Sequence, residues 1–372
     1  MTSTPWQRYL LPAFTFMSVV IGGGYATGRE LVEFFMPAGP VGGLLGMAVT
    51  AVIWSVVFAL SLEFARMTGS FDYRSFFRQL LGRAWFLFEI TFLALLLIVL
   101  AVLGAASGEI AVDIAGQPSW VGTVVFLALI AMLAWLGTDA IESFFSAWGM
   151  LLIVTYVAFM LICVSRFGED IAATFAAADG PAPGWLRGGI TYAGYNIMVL
   201  PALLYCARHQ RRRAETLTAG ALSGPIAILP GFVFFIAMQS KYPEIIDAPI
   251  PLQVLLHALD YPWFTIGMQV AIFGTLVQTG IGVLHGFNER LLGARADTGE
   301  PRVRRLRVVA SLALALAAML LATRIGLIDL IAKGYGYLAW AVIAIYAVPL
   351  LTIGAFRVFS RPGEPPAGAE QH

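Results

Sequence analysis

The sequence predicts an all-α integral membrane protein of about ten transmembrane helices, arranged as two inverted repeats of five, with helices 1 and 6 discontinuous. Three observations predict this fold class. Of the 372 residues, 59% are hydrophobic and only 12% are charged, about half the charged fraction of a typical soluble domain. Apolar runs of about 20 residues, the length that crosses a bilayer as a helix, recur along the whole chain. Two of these runs contain a short break that includes glycine, and the breaks occupy corresponding places in the two halves.

The apolar runs give the elements in order. Ten candidate spans cover residues 12–35, 41–65, 84–108, 119–136, 144–165, 185–206, 217–239, 263–289, 307–324 and 335–356. Runs such as 92–103 do not alternate apolar and polar residues, so the spans are helices and not the strands of a barrel. Two shorter segments, 71–81 and 251–259, are predicted to form short helices between spans. We therefore expect one transmembrane domain over 1–357, followed by a disordered cytoplasmic tail over 358–372.

The arginines predict the orientation. They concentrate in loops that lie on one side of the membrane if the helices alternate in direction, above all in 208–213 and 302–307. Loops that are rich in Lys and Arg remain in the cytoplasm, so both termini are predicted to be cytoplasmic. We interpret the run 208–213 as such an anchor and not as a nucleic-acid-binding segment.

The two breaks are the strongest indication of function. The first is Ile21-Gly22-Gly23-Gly24-Tyr25 in span 1, and the second is Tyr192-Ala193-Gly194-Tyr195-Asn196 in span 6. Lipid cannot hydrogen-bond a free amide or carbonyl, so unwound backbone inside a membrane is tolerated only where it lines a cavity or binds something. Because each repeat has five helices, an odd number, the second repeat begins on the opposite face of the membrane, and the repeats are inverted.

The same motifs resemble a known family. The stretch 21–30, together with 192–196, Thr279-Gly280-Ile281-Gly282 and Gly286-Phe287-Asn288-Glu289-Arg290, is similar to the YkvI-type bacterial membrane proteins of the amino acid-polyamine-organocation (APC) superfamily. That resemblance implies the LeuT-type fold, a bacterial inner-membrane location and a transport function.

A substrate site is predicted at the breaks. A new half-helix begins after the first break, and its N-terminal end has unpaired amides and the positive end of the helix dipole. We expect these amides to hold a carboxylate. Helix 6 brings polar side chains to the second break, where an aromatic ring would cover an apolar part of the substrate. The alternative is that the glycines only allow close helix packing. The predicted substrate-binding residues are Gly22, Gly23, Gly24, Tyr25, Tyr192, Gly194, Tyr195 and Asn196.

A cation site is predicted beside the first break. Thr275, Gln278 and Thr279 share one face of span 8, and the carbonyls of Val20 and Ile21 end the first half-helix. Oxygen ligands of this kind suit Na⁺. Interhelical hydrogen bonding by Thr and Gln is an equally good interpretation. Apart from this Na⁺, no metal or other cofactor is expected.

Ionisable side chains inside the membrane are usually functional. Arg29 and Glu33 are spaced i, i+4 and are predicted to pair, with either a gating or a structural role. Glu30 lies just beyond the first break and Glu109 lies near the end of span 3. Each is a candidate proton-coupling carboxylate, and structural pairing is the alternative for both.

No usable enzyme motif occurs, and no cytoplasmic domain is present to hold a nucleotide. The sequence therefore predicts a secondary active transporter that moves a small amino acid or related zwitterion by alternating access, coupled to Na⁺ or H⁺. A membrane sensor or channel for a small ligand is the alternative. A small-molecule substrate and the lipid bilayer are the expected partners, without nucleic acid, and the oligomeric state is left open.

Overall fold

A computed structural model describes residues 4–136, 138–292 and 301–360, and the regular structure of these residues is entirely helical. A π-helical turn, Trp6–Leu10, precedes the first α-helix. The helices are α1 (Leu11–Val20), α2 (Gly23–Ala26), α3 (Arg29–Phe35), α4 (Gly39–Thr68), α5 (Tyr73–Leu81), α6 (Phe86–Ala115), α7 (Ser119–Leu136), α8 (Thr138–Ala176), α9 (Trp185–Asn196), α10 (Arg213–Met238), α11 (Pro251–Leu259), α12 (Pro262–Leu292), α13 (Pro301–Ile325) and α14 (Leu327–Ser360). The last of these contains several π-helical turns.

The predicted spans fall on these helices, which confirms the all-α membrane fold. Six helical segments of the described residues are long and apolar enough to cross a membrane: Arg29–Thr68, Tyr73–Ala115, Trp185–His209, Arg213–Lys241, Pro262–Asn288 and Leu327–Ser360. Shorter apolar helices cover Ser119–Met132 and Val309–Ile325. The two predicted short helices are α5 and α11. Residues 358–360, which were assigned to the tail, are helical, and the rest of that tail lies outside the described residues.

Capping sets where α5 begins. The Asp72 carboxylate accepts hydrogen bonds from the backbone amides of Arg74 and Ser75, both at 3.0 Å. These amides have no partner within the helix, so a capping carboxylate stabilises this end by about 1 kcal/mol. The helix therefore starts at Tyr73, two residues later than the apolar pattern suggests.

The two repeats are joined by close packing of α4 against α10. A Cβ on Gly220 would overlap the backbone of Ala59, and one on Gly224 would overlap the Ala51 carbonyl. Membrane helices approach closely where such small residues meet. On the other side of α4, the Thr50 hydroxyl donates to the Gly189 carbonyl at 2.9 Å and so fixes α9. Helix α4 of the first repeat thus packs against both α9 and α10 of the second repeat.

One face of the bundle carries a polar network. Arg66 donates to both carboxylate oxygens of the buried Glu63, at 2.8 and 2.7 Å, and Thr216 donates to the same carboxylate at 2.7 Å. Arg8 pairs with Glu215 at 3.1 Å. These contacts join the N-terminal segment, α4 and the start of α10. We call this end of the bundle the basic face.

The C-terminal end of α14 lies at the same face. The Arg213 guanidinium stands 4.7 Å from the ring centroid of Phe359. Both ends of the described chain therefore lie at the basic face.

Candidate functional site

The first predicted break is present. Helix α1 ends at Val20, Ile21 leaves the helical region with ψ of 65°, and Gly22 is extended with φ of −90° and ψ of −176°. The helix restarts at Gly23. The backbone groups on both sides of Gly22 are therefore not joined by a continuous helical ladder, as the glycine motif predicts.

A second break, which the sequence analysis missed, follows at Gly28. Its φ of +81° is left-handed, and a Cβ there would lie 3.0 Å from Cζ of Phe234. Only glycine fits both requirements without strain. The Thr27 hydroxyl, which donates to the Gly24 carbonyl at 2.7 Å, closes the short turn before it. The adjacent Thr-Gly pair was the available sequence signal.

The kink at Gly28 turns the Glu30 side chain back towards the first break. Glu30 is only 6% exposed. Its Oε1 lies so close to Gly24 that a Cβ on that residue would overlap it, and its Oε2 accepts a hydrogen bond from the Tyr195 hydroxyl. No ion pair of Glu30 occurs among the described residues. The anion found beside the glycines is therefore a carboxylate of the chain itself.

Aromatic side chains enclose this carboxylate. The Tyr195 ring stacks on Tyr335 of α14 with 4.6 Å between centroids, and Phe34 lies 5.8 Å from both Tyr192 and Tyr195. The hydroxyls of Tyr25 and Tyr192 are buried and make no hydrogen bond of normal geometry within the described part of the chain. A buried hydroxyl without a partner is costly, so these two groups are available to a ligand.

The second discontinuity lies later than predicted. Residues 192–196 are not unwound, because α9 continues through Asn196 and the chain then becomes a 3₁₀-helix, Ile197–His209. Pro201 has no amide hydrogen to donate to the Ile197 carbonyl, which explains the change of helix type there. The Asn196 amide donates to the Tyr192 carbonyl at 3.0 Å.

Gly194 is a packing residue and not a point of unwinding. A Cβ on Gly194 would lie 2.8 Å from Cδ1 of Ile343 and 3.1 Å from the Ala339 carbonyl oxygen. It therefore allows α9 to approach α14 closely. Tyr192 packs with its ring centroid 4.9 Å from Phe35 and 5.6 Å from Trp54. Of the predicted helix 6 residues, Tyr195 is the one that contacts Glu30.

The predicted cation residues are brought together in part. A Cβ on Gly22 would lie 3.7 Å from Cγ2 of Thr279 and 3.8 Å from the Val19 carbonyl oxygen, so Thr279 stands directly at the first break. Thr275 is buried one turn earlier on α12, where its hydroxyl donates to the Ala271 carbonyl at 2.9 Å. Gln278 is half-buried. Of the predicted residues on α12, Thr279 is therefore the one that lies at the break, where the Val20 carbonyl accepts a hydrogen bond from the Gly22 amide at 2.8 Å.

The predicted pair of Arg29 and Glu33 is present, with 2.6 Å between Nη2 and Oε2. Arg29 also donates to the carbonyls of Ile246 and Ala248, at 2.6 and 3.0 Å, and so ties α3 to the loop before α11. These contacts hold the N-terminal end of α3 in place.

Glu109 is half-buried on α6, and no described contact joins it to Glu30. One turn further along α6, Asp113 accepts a hydrogen bond from Gln269 and lies 3.3 Å from Nε2 of His257. This polar group belongs to the region between α6, α11 and α12.

A cavity of about 370 Å³ opens between α3, α9 and α14. It lies at the N-terminal ends of α9 and α14, whereas the C-terminal end of α14 reaches the basic face. We call this cavity the vestibule. Its charged lining residues are Glu33, Arg187 and Lys333, and Phe34 and Thr191 also line it. Phe34 thus separates the vestibule from Tyr195 and the Glu30 carboxylate.

Comparison with known proteins supports this architecture. No protein-family model matches the chain. The chain is 22% identical over 281 residues to "Uncharacterized membrane protein YkvI" of Bacillus subtilis (strain 168), an alignment that covers 75% of this chain and 80% of that protein. The predicted resemblance to YkvI-type proteins is confirmed.

Two solved structures show the fold. The crystal structure of the Eremococcus coleocola manganese transporter, in complex with an aromatic bis-isothiourea substituted compound, superposes with a TM-score of 0.60 at 13% identity, covering 94% of this chain and 81% of that one. The crystal structure of MhsT in complex with L-phenylalanine gives a TM-score of 0.58 at 14% identity, covering 97% and 98%. The chain therefore has the LeuT-type fold.

Proposed function

We propose that the protein is a secondary active transporter that moves a small amino acid or related zwitterion across the bacterial inner membrane by alternating access. The observation that carries this proposal is the buried carboxylate of Glu30, which has no ion-pair partner among the described residues and lies at a helix break beneath a cavity. A structural carboxylate at this depth would be expected to pair with a cation.

The fold adds support to this proposal. One structure that superposes on the chain is a manganese transporter, and another contains L-phenylalanine. A ligand-sized space lined by aromatic rings and a few polar groups suits an organic solute. The vestibule has such a lining, which includes Phe34, Trp340 and Thr191.

Two coupling ions fit the site. Na⁺ would be held by the carbonyls of Val20 and Ile21 with the hydroxyls of Thr275 and Thr279, beside the extended Gly22. H⁺ would be carried by Glu30. The whole of 1–357 forms the transport domain in this proposal, and the basic face is cytoplasmic because Arg-rich loops are retained there.

Uptake by proteoliposomes tests this function. The purified protein is reconstituted, a panel of labelled amino acids and amines is supplied outside, and an inward Na⁺ gradient, an inward proton gradient or an outward proton gradient is imposed separately. We expect one gradient to drive accumulation of a solute above its external concentration. If the Na⁺ gradient drives it, Thr275→Ala with Thr279→Ala should reduce accumulation at least about tenfold, because two oxygen ligands are lost.

The same assay separates the alternatives. A sensor would bind a solute without accumulating it, and a channel would only equilibrate it. Failure of all three gradients to concentrate any solute that the protein binds would contradict the proposed function. Gly267→Ala serves as a control variant, because Gly267 is exposed on α12 and no atom lies within 4 Å of the added methyl group.

A further inference from the structure

Among the described residues, the surroundings of Glu30 contain phenols but no unpaired cation. On its own helix, Arg29 is engaged by Glu33 and by two backbone carbonyls, and on α14 Lys333 pairs with Asp329 at 3.0 Å. The loop before α11, whose carbonyls Arg29 binds, has acidic side chains that are exposed to solvent. The titratable side chains that face Glu30 from neighbouring elements are Tyr25, Tyr192, Tyr195 and Tyr335.

A carboxylate in such a place has two ways of avoiding an isolated buried charge. It can bind a proton, or it can pair with a cation that arrives from outside the protein. Only one of its oxygens, Oε2, accepts a hydrogen bond from the described residues. Oε1 lies against Gly24, in the space that a side chain at position 24 would fill.

The aromatic groups favour a cation as the second occupant. An ammonium group is attracted to the faces of aromatic rings, and phenol oxygens can accept its hydrogen bonds. Phe34, Tyr195 and Tyr335 present rings beside the carboxylate, and the Tyr25 and Tyr192 hydroxyls lack hydrogen-bond partners among the described residues. A carboxylate-bearing end of a solute would be repelled by Glu30 at the same position.

We infer that Glu30 binds the ammonium group of the transported solute, so that the solute and a proton compete for one carboxylate. When the solute enters from the vestibule past Phe34, the Glu30 carboxyl loses its proton to water and forms an ion pair with the ammonium group. The inference rests on the proposed function and narrows it, since solute binding then releases a proton. The substrate class is a primary amine, with or without a carboxylate at its other end.

Matched compounds test this directly. Binding to the purified protein is measured by isothermal titration with the alanine, leucine and phenylalanine skeletons, each as the amino acid, as the amine without the carboxylate, and as the acid without the ammonium. We expect one amine or amino acid to bind and its deaminated acid not to bind. Lowering the pH should weaken amine binding by up to about tenfold per unit once Glu30 is protonated, because proton and ligand exclude each other.

Variants at position 30 complete the test. Glu30→Gln should weaken amine binding about 100-fold and abolish the pH dependence, because it removes one partner of a buried charge pair. Glu30→Asp should keep the pH dependence at reduced affinity. Glu244→Gln, the same change at an exposed carboxylate, should have no effect, and matched thermal midpoints for all variants show that folding is retained.

Three results would overturn the inference. They are binding of the acid in preference to the amine, unchanged amine affinity in Glu30→Gln, or no binding of any amine or amino acid in the series. Accumulation of an amino acid in proteoliposomes that is equal for Glu30→Gln and the wild type would leave the proposed function standing while this inference falls. If no solute is accumulated although an amine binds at Glu30, the proposed function fails, and of the inference only the binding of the ammonium group by Glu30 stands.

Discussion

At the scale of single residues, the site depends on a contact between Gly24 and Glu30. The glycine has no side chain, and this leaves room for the Glu30 carboxylate to fold back against the first break. The Tyr195 hydroxyl holds the other oxygen. Position 24 therefore controls where the buried carboxylate lies, in addition to any effect on the backbone.

Substitution of Gly24 by alanine should displace this carboxylate. The added methyl group would overlap Oε1 of Glu30, so the side chain must move away from the break. We expect the bound amine or amino acid to lose at least about tenfold in affinity, the cost of a misplaced charged partner. The measurement is isothermal titration with the best compound of the wild-type series.

Gly267→Ala provides the matched comparison, because it adds the same methyl group to a helix where nothing lies within 4 Å. It should bind like the wild type and gain about 0.5–1 kcal/mol in stability from the lower entropy of the unfolded chain. Equal affinity in Gly24→Ala and the wild type would show that the position of the Glu30 carboxylate does not matter for binding.

Much at this scale could be predicted from the sequence. The spacing of Arg29 and Glu33 predicted their ion pair, and Glu30 was recognised because a carboxylate so close to a helix break is unusual. The contact of Glu30 with Gly24 could not be predicted, because it requires the left-handed turn at Gly28. Gly24 and Tyr195, the two partners of Glu30, were both predicted as substrate-binding residues and not as contacts of Glu30.

At the scale of elements, the first membrane helix consists of three pieces that meet at Gly22 and Gly28. The first junction is extended and the second is left-handed. The backbone of α3 is thereby turned relative to α1, and α12 reaches the first junction through Thr279. The solute site and the proposed Na⁺ site are consequences of these two turns.

Gly28→Ala tests the second turn. The left-handed conformation costs an L-residue about 1–2 kcal/mol, and the methyl group would also lie 3.0 Å from the Phe234 ring. Gly116→Ala is a matched control, because Gly116 also has a positive φ, of 59°, but no atom lies within 4 Å of the added methyl group. We expect a lower thermal midpoint in Gly28→Ala than in Gly116→Ala, together with loss of solute binding only in the former.

The opposite ranking of the two midpoints would contradict this view of the turn. Retained binding in a destabilised Gly28→Ala would indicate that the turn contributes to stability but not to the placement of Glu30.

The elements show why glycine patterns alone are ambiguous. The three consecutive glycines after Ile21 correctly predicted a break, because a continuous helix gains little from such a run. Gly194 led to a misplaced second break, because a glycine that permits close packing against Ile343 has the same sequence signature as one that permits unwinding. Pro201 was the better sequence signal for the second break, because the helix type changes near it.

At the scale of the whole molecule, the two ends of the bundle differ. The vestibule opens one end, between α3, α9 and α14. The basic face at the other end is tied together by Glu63, Arg66 and Thr216, and by the pair of Arg8 with Glu215. A transporter that works by alternating access must open these contacts when the vestibule closes. The partners of Glu63 depend on tertiary packing and could not be predicted.

Counterflow is the most direct measurement of the claim that access to the site alternates. Proteoliposomes are loaded with a high concentration of the unlabelled solute and diluted into a trace of the labelled solute, with no ion gradient and the same pH on both sides. We predict a transient accumulation of labelled solute above its external concentration. Each protein molecule that releases unlabelled solute outside can bind labelled solute there and carry it inward. Label that only equilibrates, or that binds without entering the vesicles, would contradict the account.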